Sequence, residues 1–417
     1  MFLVFSFISL FSNAQKLLIY MDDSQTNHLK AYGVAYWQLQ QNEIVEWLLN
    51  YRGGSFFILD TPVSRQECEL REVAFTPISV SDEASIKTDI AREDNNADII
   101  KLEKAPKIAV YTPPNTLPWD DAVTMALTYA EIPYEKIWDK EVLDGKLTKY
   151  DWLHLHHEDF TGQYGKFYSA FSNYPWYVQQ QAEYEAFAKQ EGYISVSEEK
   201  KAVARRIKEF VGLGGFMFAM CSATDSYDIS LSSEGVDIAP AEFDGTPADP
   251  NASRKLDFSK TFAFENFTLN MNPSVYEYSD IDIQPDEIPL RQQNEATDYF
   301  TLFEFSAKWD PVPTMLTQDH RKVIKGFLGQ TTLFKKRFVK PTVVVMAEYE
   351  GRDEVKYLTG NFGKGTFTFY PGHDPEDFQH AVNDPPTDLS LHKNSPGYRL
   401  ILNNVLFPAA NKKKHKT

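Results

Sequence analysis

Cys221 closes an apolar run, Phe216-Met217-Phe218-Ala219-Met220-Cys221-Ser222-Ala223, with alanines two positions before and two after it. A strand that turns sharply into a helix needs small neighbours there, because bulkier ones collide in the tight turn. A helix beginning at Ser222 would aim its positive end at the sulfur and favour the thiolate. The backbone N–H at Ser222 would then help to hold an oxyanion. A buried structural cysteine at a strand end would carry the same neighbours. A second constellation is Gly372-His373-Asp374-Pro375-Glu376. A thiol nucleophile needs a base that titrates near neutrality and a carboxylate to orient it, and His373 with Asp374 or Glu376 supplies both. A Pro/Gly turn whose histidine only caps a helix gives the same string. The third is His154-Leu155-His156-His157-Glu158-Asp159, the densest group of metal-ligand types in the chain. His154 and His156 share a face if the strand continues through them. With His373 they form a candidate metal set, His154, His156 and His373, for zinc or another divalent ion, and His157, Glu158 or Asp159 are further candidates. Without an ion, His156, His157, Asp159 and Ser222 would contact substrate.

Alternating elements must position these groups. Strands are expected at 16–22, 43–49 and 55–59, with a helix from about Ser24 to Gln40, followed by an acidic helix and linker at 80–105. A second series starts with strand 107–112 and continues with helix 119–131, which has acidic residues in its first turn. Strand 134–139, strand 150–156, helix 198–212 and strand 214–221 follow. Strands at 341–349, 355–358 and 365–373 and a helix at 396–406 close the chain. Near-continuous apolar strands alternating with helices predict an α/β fold with a mainly parallel, doubly wound, flavodoxin-like sheet. Such sheets bind ligands at the carboxyl ends of their strands, where all three constellations would lie. The expected organisation is a signal peptide at 1–14, an N-terminal α/β unit and linker at 15–105, a main domain from 106–231 and 341–408, a β- and loop-rich insertion at 232–340, and a basic tail at 409–417.

The strand–cysteine–helix turn at 218–223 and the strand ending in Gly372-His373-Asp374-Pro375-Glu376 together resemble the class I glutamine amidotransferase-like superfamily. The segment 363–378 and its closing helix are closer to the ThuA-like branch. Two departures stand out: alanines replace the usual glycines around Cys221, and one residue is inserted before the proline of the His-Pro-Glu motif. The resemblance covers about 107–230 and 341–407. It implies a flavodoxin-like fold and a Cys221, His373 and Glu376 or Asp374 machinery. Similar chains are sometimes labelled asparagine synthetase B, but the N-terminal catalytic cysteine and the Ser-Gly-Gly-x-Asp-Ser loop of that activity are missing from this sequence.

Composition narrows the field. A formal net charge of −17 over 417 residues repels a phosphate backbone, which excludes nucleic acid as a partner. The apolar run 1–14 is too short to span a bilayer and predicts export to the periplasm. Cys68 and Cys221 lie in unlike settings and are read as separate thiols. Phe327–Thr332 could shape the cleft or be a plain turn, as could the anion-nest candidate Arg52-Gly53-Gly54-Ser55. Three functions fit: a cysteine-dependent hydrolase or amidase that requires no cofactor, a module binding carbohydrate or another small ligand through Tyr276, Tyr278, Tyr299, Phe300, Phe303 and Phe305, and a metal-dependent hydrolase.

Overall fold

The computed structural model describes residues 16–114, 120–283, 287 and 294–410. The expected signal segment and most of the basic tail therefore lie outside the described residues.

Five strands form a first sheet: β1 (Lys16–Ile19), β2 (Val45–Leu49), β3 (Ser55–Leu59), β4 (Thr76–Ile78) and β5 (Asp98–Leu102). Their order is β4-β1-β3-β2-β5, and every pairing is antiparallel. Successive side chains go to opposite faces. Leu17, Ile19, Trp47, Phe56 and Ile58 join the large core shared with helix His28–Gln40, while Leu18, Leu48 and Phe57 pack with Ile78 and Ile90 on the other side. Burial on both faces explains the unbroken apolar runs. The Arg52–Ser55 segment is an ordinary turn: the N–H groups of Gly54 and Ser55 both donate to the carbonyl of Tyr51.

The second sheet has ten strands: β6 (Ile108–Tyr111), β7 (Glu135–Ile137), β8 (Trp152–Leu155), β9 (Phe216–Met220), β10 (Tyr299–Leu302), β11 (Val323–Lys325), β12 (Phe334–Lys335), β13 (Val344–Glu348), β14 (Glu354–Phe362) and β15 (Gly365–Tyr370). Strands β7-β6-β8-β9-β15 run parallel. Beyond β15 the sheet continues antiparallel through β14, β13, β10 and β11, with β12 antiparallel on β14.

The expected mainly parallel, doubly wound, flavodoxin-like sheet is therefore corrected: one sheet is mixed and the other wholly antiparallel. Connection length is the reason. Phe362 pairs with Gly365, so Gly363 and Lys364 alone join β14 to β15. Only five residues join β13 to β14. A parallel crossover needs a dozen or more residues, so these three strands form a meander.

The parallel half matters for the site. Trp152 and His154 of β8 face Phe218 of β9 at ring separations of 6.0 and 5.6 Å. Helix Val196–Leu213 backs the other face through Val203, Ile207 and Val211. The carboxyl ends of β6, β8, β9 and β15 then emerge side by side.

Candidate functional site

Each of those four strand ends delivers chemistry. Asp120 and Asp121 follow β6 and precede helix Ala122–Tyr129. His156 and His157 follow β8, Cys221 follows β9 and His373 follows β15.

Asp121 has two tasks. Its Oδ1 caps the helix by accepting the N–H of Thr124 at 2.8 Å. Its Oδ2 lies 3.3 Å from His154 Nε2 and 3.2 Å from His156 Nδ1. His154 is fully buried, and its Nδ1 lies 3.2 Å from the carbonyl of Phe218. Asp120 Oδ1 is 3.0 Å from His380 Nε2 and 3.7 Å from His373 Nε2. His380 Nδ1 in turn contacts Asp377 Oδ2 at 2.8 Å. The rings of His156 and His373 stack at 4.6 Å and those of His373 and His380 at 4.7 Å, with His157 4.6 Å from His156. Five imidazoles and two consecutive aspartates thus make one continuous cluster.

Three triads within it, Asp121/His154/His156, His156/His157/His373 and Asp120/His373/His380, can each hold a metal ion, the three ligand atoms of each lying within 4.8 Å of one another. A fourth, Asp377/His380/Asp384, lies further out. Burial opposes ionisation of Asp120 and Asp121, but the neighbouring imidazoles outweigh it and hold both below the ordinary carboxylate value, Asp121 well below. Burial, reinforced by His156 and His373, drives His157 well below the usual imidazole range.

The cluster opens on a cavity of about 380 Å³ lined by His157, Cys221, Tyr276, Gln330, His373 and His380, among others. Cys221 is 2% exposed and adopts φ +51°, a left-handed conformation that side chains other than glycine rarely take. The N–H of Ala223, two residues on, donates to the carbonyl of His156 at 3.0 Å, tying the turn to the histidine segment. A strap formed by Phe327–Thr332 crosses above. Its Gln330 N–H points at Cys221 Sγ at 3.3 Å, and its Gln330 Nε2 donates to the carbonyls of Gly165 and Tyr276. The N–H of His373 donates to Leu328 O at 2.8 Å, and that of Gly372 to Thr331 O at 2.7 Å. Gly372 has φ +96°, and a Cβ there would lie 2.4 Å from the Phe327 ring, so this approach requires glycine. Lys356, fully buried, donates to both Phe327 O and Thr332 O at 2.7 Å.

Asp225 anchors the strap from below, accepting the Thr331 hydroxyl at 2.7 Å. Burial pushes its carboxyl up to about 7, against the hydrogen bonds from Thr331 and Ser226. A folded-state value raised this far stabilises the chain below the ordinary carboxylate value, and the contribution is lost as pH rises toward about 7. The Asp225→Asn variant keeps the accepting oxygen without the titration. Its melting temperature relative to the parent is therefore expected to climb from about pH 4 to about pH 7 and then level off. A difference that stays constant over that range contradicts the assignment.

The other expected site residues are placed as follows. Glu376 pairs with His392, 3.0 Å away, and Asp374 accepts the N–H of Glu376 at 2.8 Å, so the carboxylate beside His373 is Asp120. Asp159 is bonded to the N–H groups of Thr161, Gln163 and Gly165 and shapes the loop after β8. Glu158 lines a separate small cavity with Tyr184 and Lys200, where burial pushes it up to about 8. Ser222 is fully buried beside Cys221. His154 joins His156 around Asp121 and lies outside the triads that contain His373. Of the aromatic set, Tyr276 lines the cavity, Phe300 packs in the core, and Phe305 lies by Asn50 and Asn96 on another surface. Cys68 and Cys221 are both free thiols. Sequence reasoning missed Asp120, Asp121 and His380. The adjacent aspartates at a strand's carboxyl end were the available signal.

Among the described residues no helix is long and apolar enough to cross a membrane. No protein-family model and no curated protein matches the chain. Two solved structures, each described as a cytoplasmic protein from Salmonella typhimurium, align with 73% of this chain and 100% of their own, at 9% and 12% identity and a TM-score of 0.35. A beta-galactosidase from Bacillus circulans sp. alkalophilus aligns over 66% of this chain and 29% of its own at 12% identity and a TM-score of 0.27. Likeness at this level carries no argument about fold or chemistry. The expected export to the periplasm is not upheld: residues 1–14, on which it rested, lie outside the described residues, and the Salmonella proteins, which carry no argument at this likeness, are described as cytoplasmic.

Proposed function

We propose that this chain is a metal-dependent hydrolase whose divalent ion, of the zinc class, is held by Asp120, His373 and His380 on the wall of the cavity. One observation carries the reading. Asp120 Oδ1, His373 Nε2 and His380 Nε2 are buried and crowd to 3.0 and 3.7 Å, yet none makes a hydrogen bond in that arrangement. A protonated histidine paired with a carboxylate would align its N–H on the oxygen. Atoms that converge without aligning suit the ligands of a shared ion. Ligands bonded tetrahedrally at about 2.0–2.2 Å sit about 3.3–3.6 Å apart, which lies between these two spacings. Asp377 on the far nitrogen of His380 is the outer partner that orients a ligating imidazole.

Two of the three residues, His373 and His380, line the cavity, so a substrate entering it would lie beside an ion held there. When bound, the ion would polarise a carbonyl or phosphoryl oxygen and make a water nucleophilic near neutral pH. His157, with its ring 5.5 Å from that of His373, lines the same cavity within reach of such a water. Gln330 and the strap close the opposite wall.

A second reading has a specific observation behind it: Cys221 as nucleophile in an amidotransferase-like or ThuA-like hydrolase. The left-handed turn at Cys221 and the Gln330 N–H aimed at its sulfur favour it. Small p-nitrophenyl carboxylate and phosphate esters and aminoacyl p-nitroanilides separate the two. The metal reading expects turnover to vanish on chelation, to return with zinc, and to survive Cys221→Ser. Turnover that is indifferent to chelation and abolished by Cys221→Ser would select the thiol mechanism.

A further inference from the structure

The inner half of the cluster is not used by the reaction just described, and it repeats the outer half. Asp120 and Asp121 are consecutive, and each faces two histidines. Asp121 Oδ2, His154 Nε2 and His156 Nδ1 crowd to 3.3 and 3.2 Å, and neither of the two ring nitrogens makes a hydrogen bond there. Those spacings are again close to the edges of a tetrahedron around an ion bonded at about 2.0–2.1 Å. His154 has the outer partner expected of a ligating imidazole, its Nδ1 lying 3.2 Å from the backbone carbonyl of Phe218.

We infer that a second divalent ion binds on Asp121, His154 and His156, and that it is a structural site enclosed behind the reactive one. The inference rests on the metal reading of the outer triad. Three features make the inner site structural. Its histidines are 0% and 1% exposed. None of its three residues lines the cavity that His373 and His380 share. The same Asp121 side chain caps helix Ala122–Tyr129. An ion there fixes β8, through His154, against the start of that helix. His156, stacked on His373 at 4.6 Å, connects the two halves, so the inner ion sets the wall against which the outer ion's ligands rest.

The two ions should differ in exchange rate. The outer one faces the cavity and its water. The inner one is enclosed by Trp152, Phe218 and the helix, and its release requires the strand end to open. Brief dialysis against a chelator is expected to remove one equivalent and the activity while leaving the melting temperature nearly unchanged. Removal of the second equivalent is expected to need partial unfolding and to lower the melting temperature.

The decisive experiment is titration of the metal-stripped full-length chain with Zn²⁺ alone, followed by calorimetry and by elemental analysis after desalting. The parent is expected to bind two equivalents, and His154→Gln and His380→Ala one each. His154→Gln keeps an amide donor for Phe218 O. Should that variant fail to fold, Co²⁺ titration of the parent serves instead, with two distinct sets of visible absorption bands expected in sequence. One equivalent in the parent, lost in His380→Ala and kept in His154→Gln, overturns the inner ion and leaves the outer one standing. One equivalent in the parent that is lost in His154→Gln and kept in His380→Ala overturns the outer ion, and with it the reading on which the two-ion centre rests. Binding of no zinc by the parent overturns both.

Discussion

The His380→Ala variant is expected to lose more than about 100-fold of the hydrolytic activity while keeping its fold. His380 supplies one of three ligands to the outer ion, from the irregular segment between β15 and the closing helix Pro396–Leu406. Its ring touches His373, Asp120 and Asp377, and no strand or helix is built on it. Loss of the ring leaves an aspartate and a single histidine, too few to hold zinc at a working concentration. His392→Ala is the matched control. His392 pairs with Glu376 outside the triads, and its removal is expected to change activity less than about twofold. Steady-state rates on the responsive probe, beside the circular dichroism of both variants, decide the matter. If His380→Ala is folded and fully active, the outer ion is misplaced.

The second large effect is on stability. Arg399→Met is expected to cost about 3–5 kcal/mol. Arg399 lies in the closing helix, fully buried. Its Nη1 donates to Met21 O at 2.9 Å, just past β1, and contacts His320 Nδ1 at 3.0 Å, while Nη2 donates to Gly53 O at 2.6 Å in the β2–β3 turn. Asp319 Oδ1 is 4.0 Å away and 1% exposed on its side chain. The guanidinium thus joins the antiparallel sheet to the helix that packs beneath the mixed one. Methionine fills the volume but removes the donor to Gly53 O and one of the two partners of the buried Met21 O, which His28 Nε2 also contacts at 3.0 Å, and leaves Asp319 without its counter-charge. Lysine is expected to rescue little, since one ammonium cannot reach the same fork of acceptors. Urea unfolding of the two variants measures both effects, and a loss below about 1 kcal/mol for Arg399→Met would contradict this account.

Much of the positioning was legible in the sequence. Helix 198–212 falls at Val196–Leu213, and the strands expected to end in His156, Cys221 and His373 do deliver them to one edge. Strand direction was misread because apolar continuity reports burial on both faces and says nothing about direction. The two-residue link at Gly363-Lys364 and the five residues before Glu354 carried the missing information. Asp120 and Asp121 looked like helix-start residues because Asp121 is one, through Oδ1. A carboxylate has a second oxygen, and nothing in a helix signal tells where it points. His380 sits in a loop, where no periodicity fixes a side chain's direction. The pairing of Glu376 with His392 depends on how residues 376–392 fold back, which local spacing does not reveal.

The metal content of the purified chain decides between the two-ion centre and the Cys221 thiol. The full chain, purified without chelator and desalted, should be analysed for zinc and the other first-row transition metals, beside Cys221→Ser prepared in the same way. Tightly held zinc-class metal is expected at close to two equivalents per chain, unchanged in Cys221→Ser. Metal below about a tenth of an equivalent, with no uptake on adding zinc, would contradict that expectation and shift the function to the Cys221 thiol.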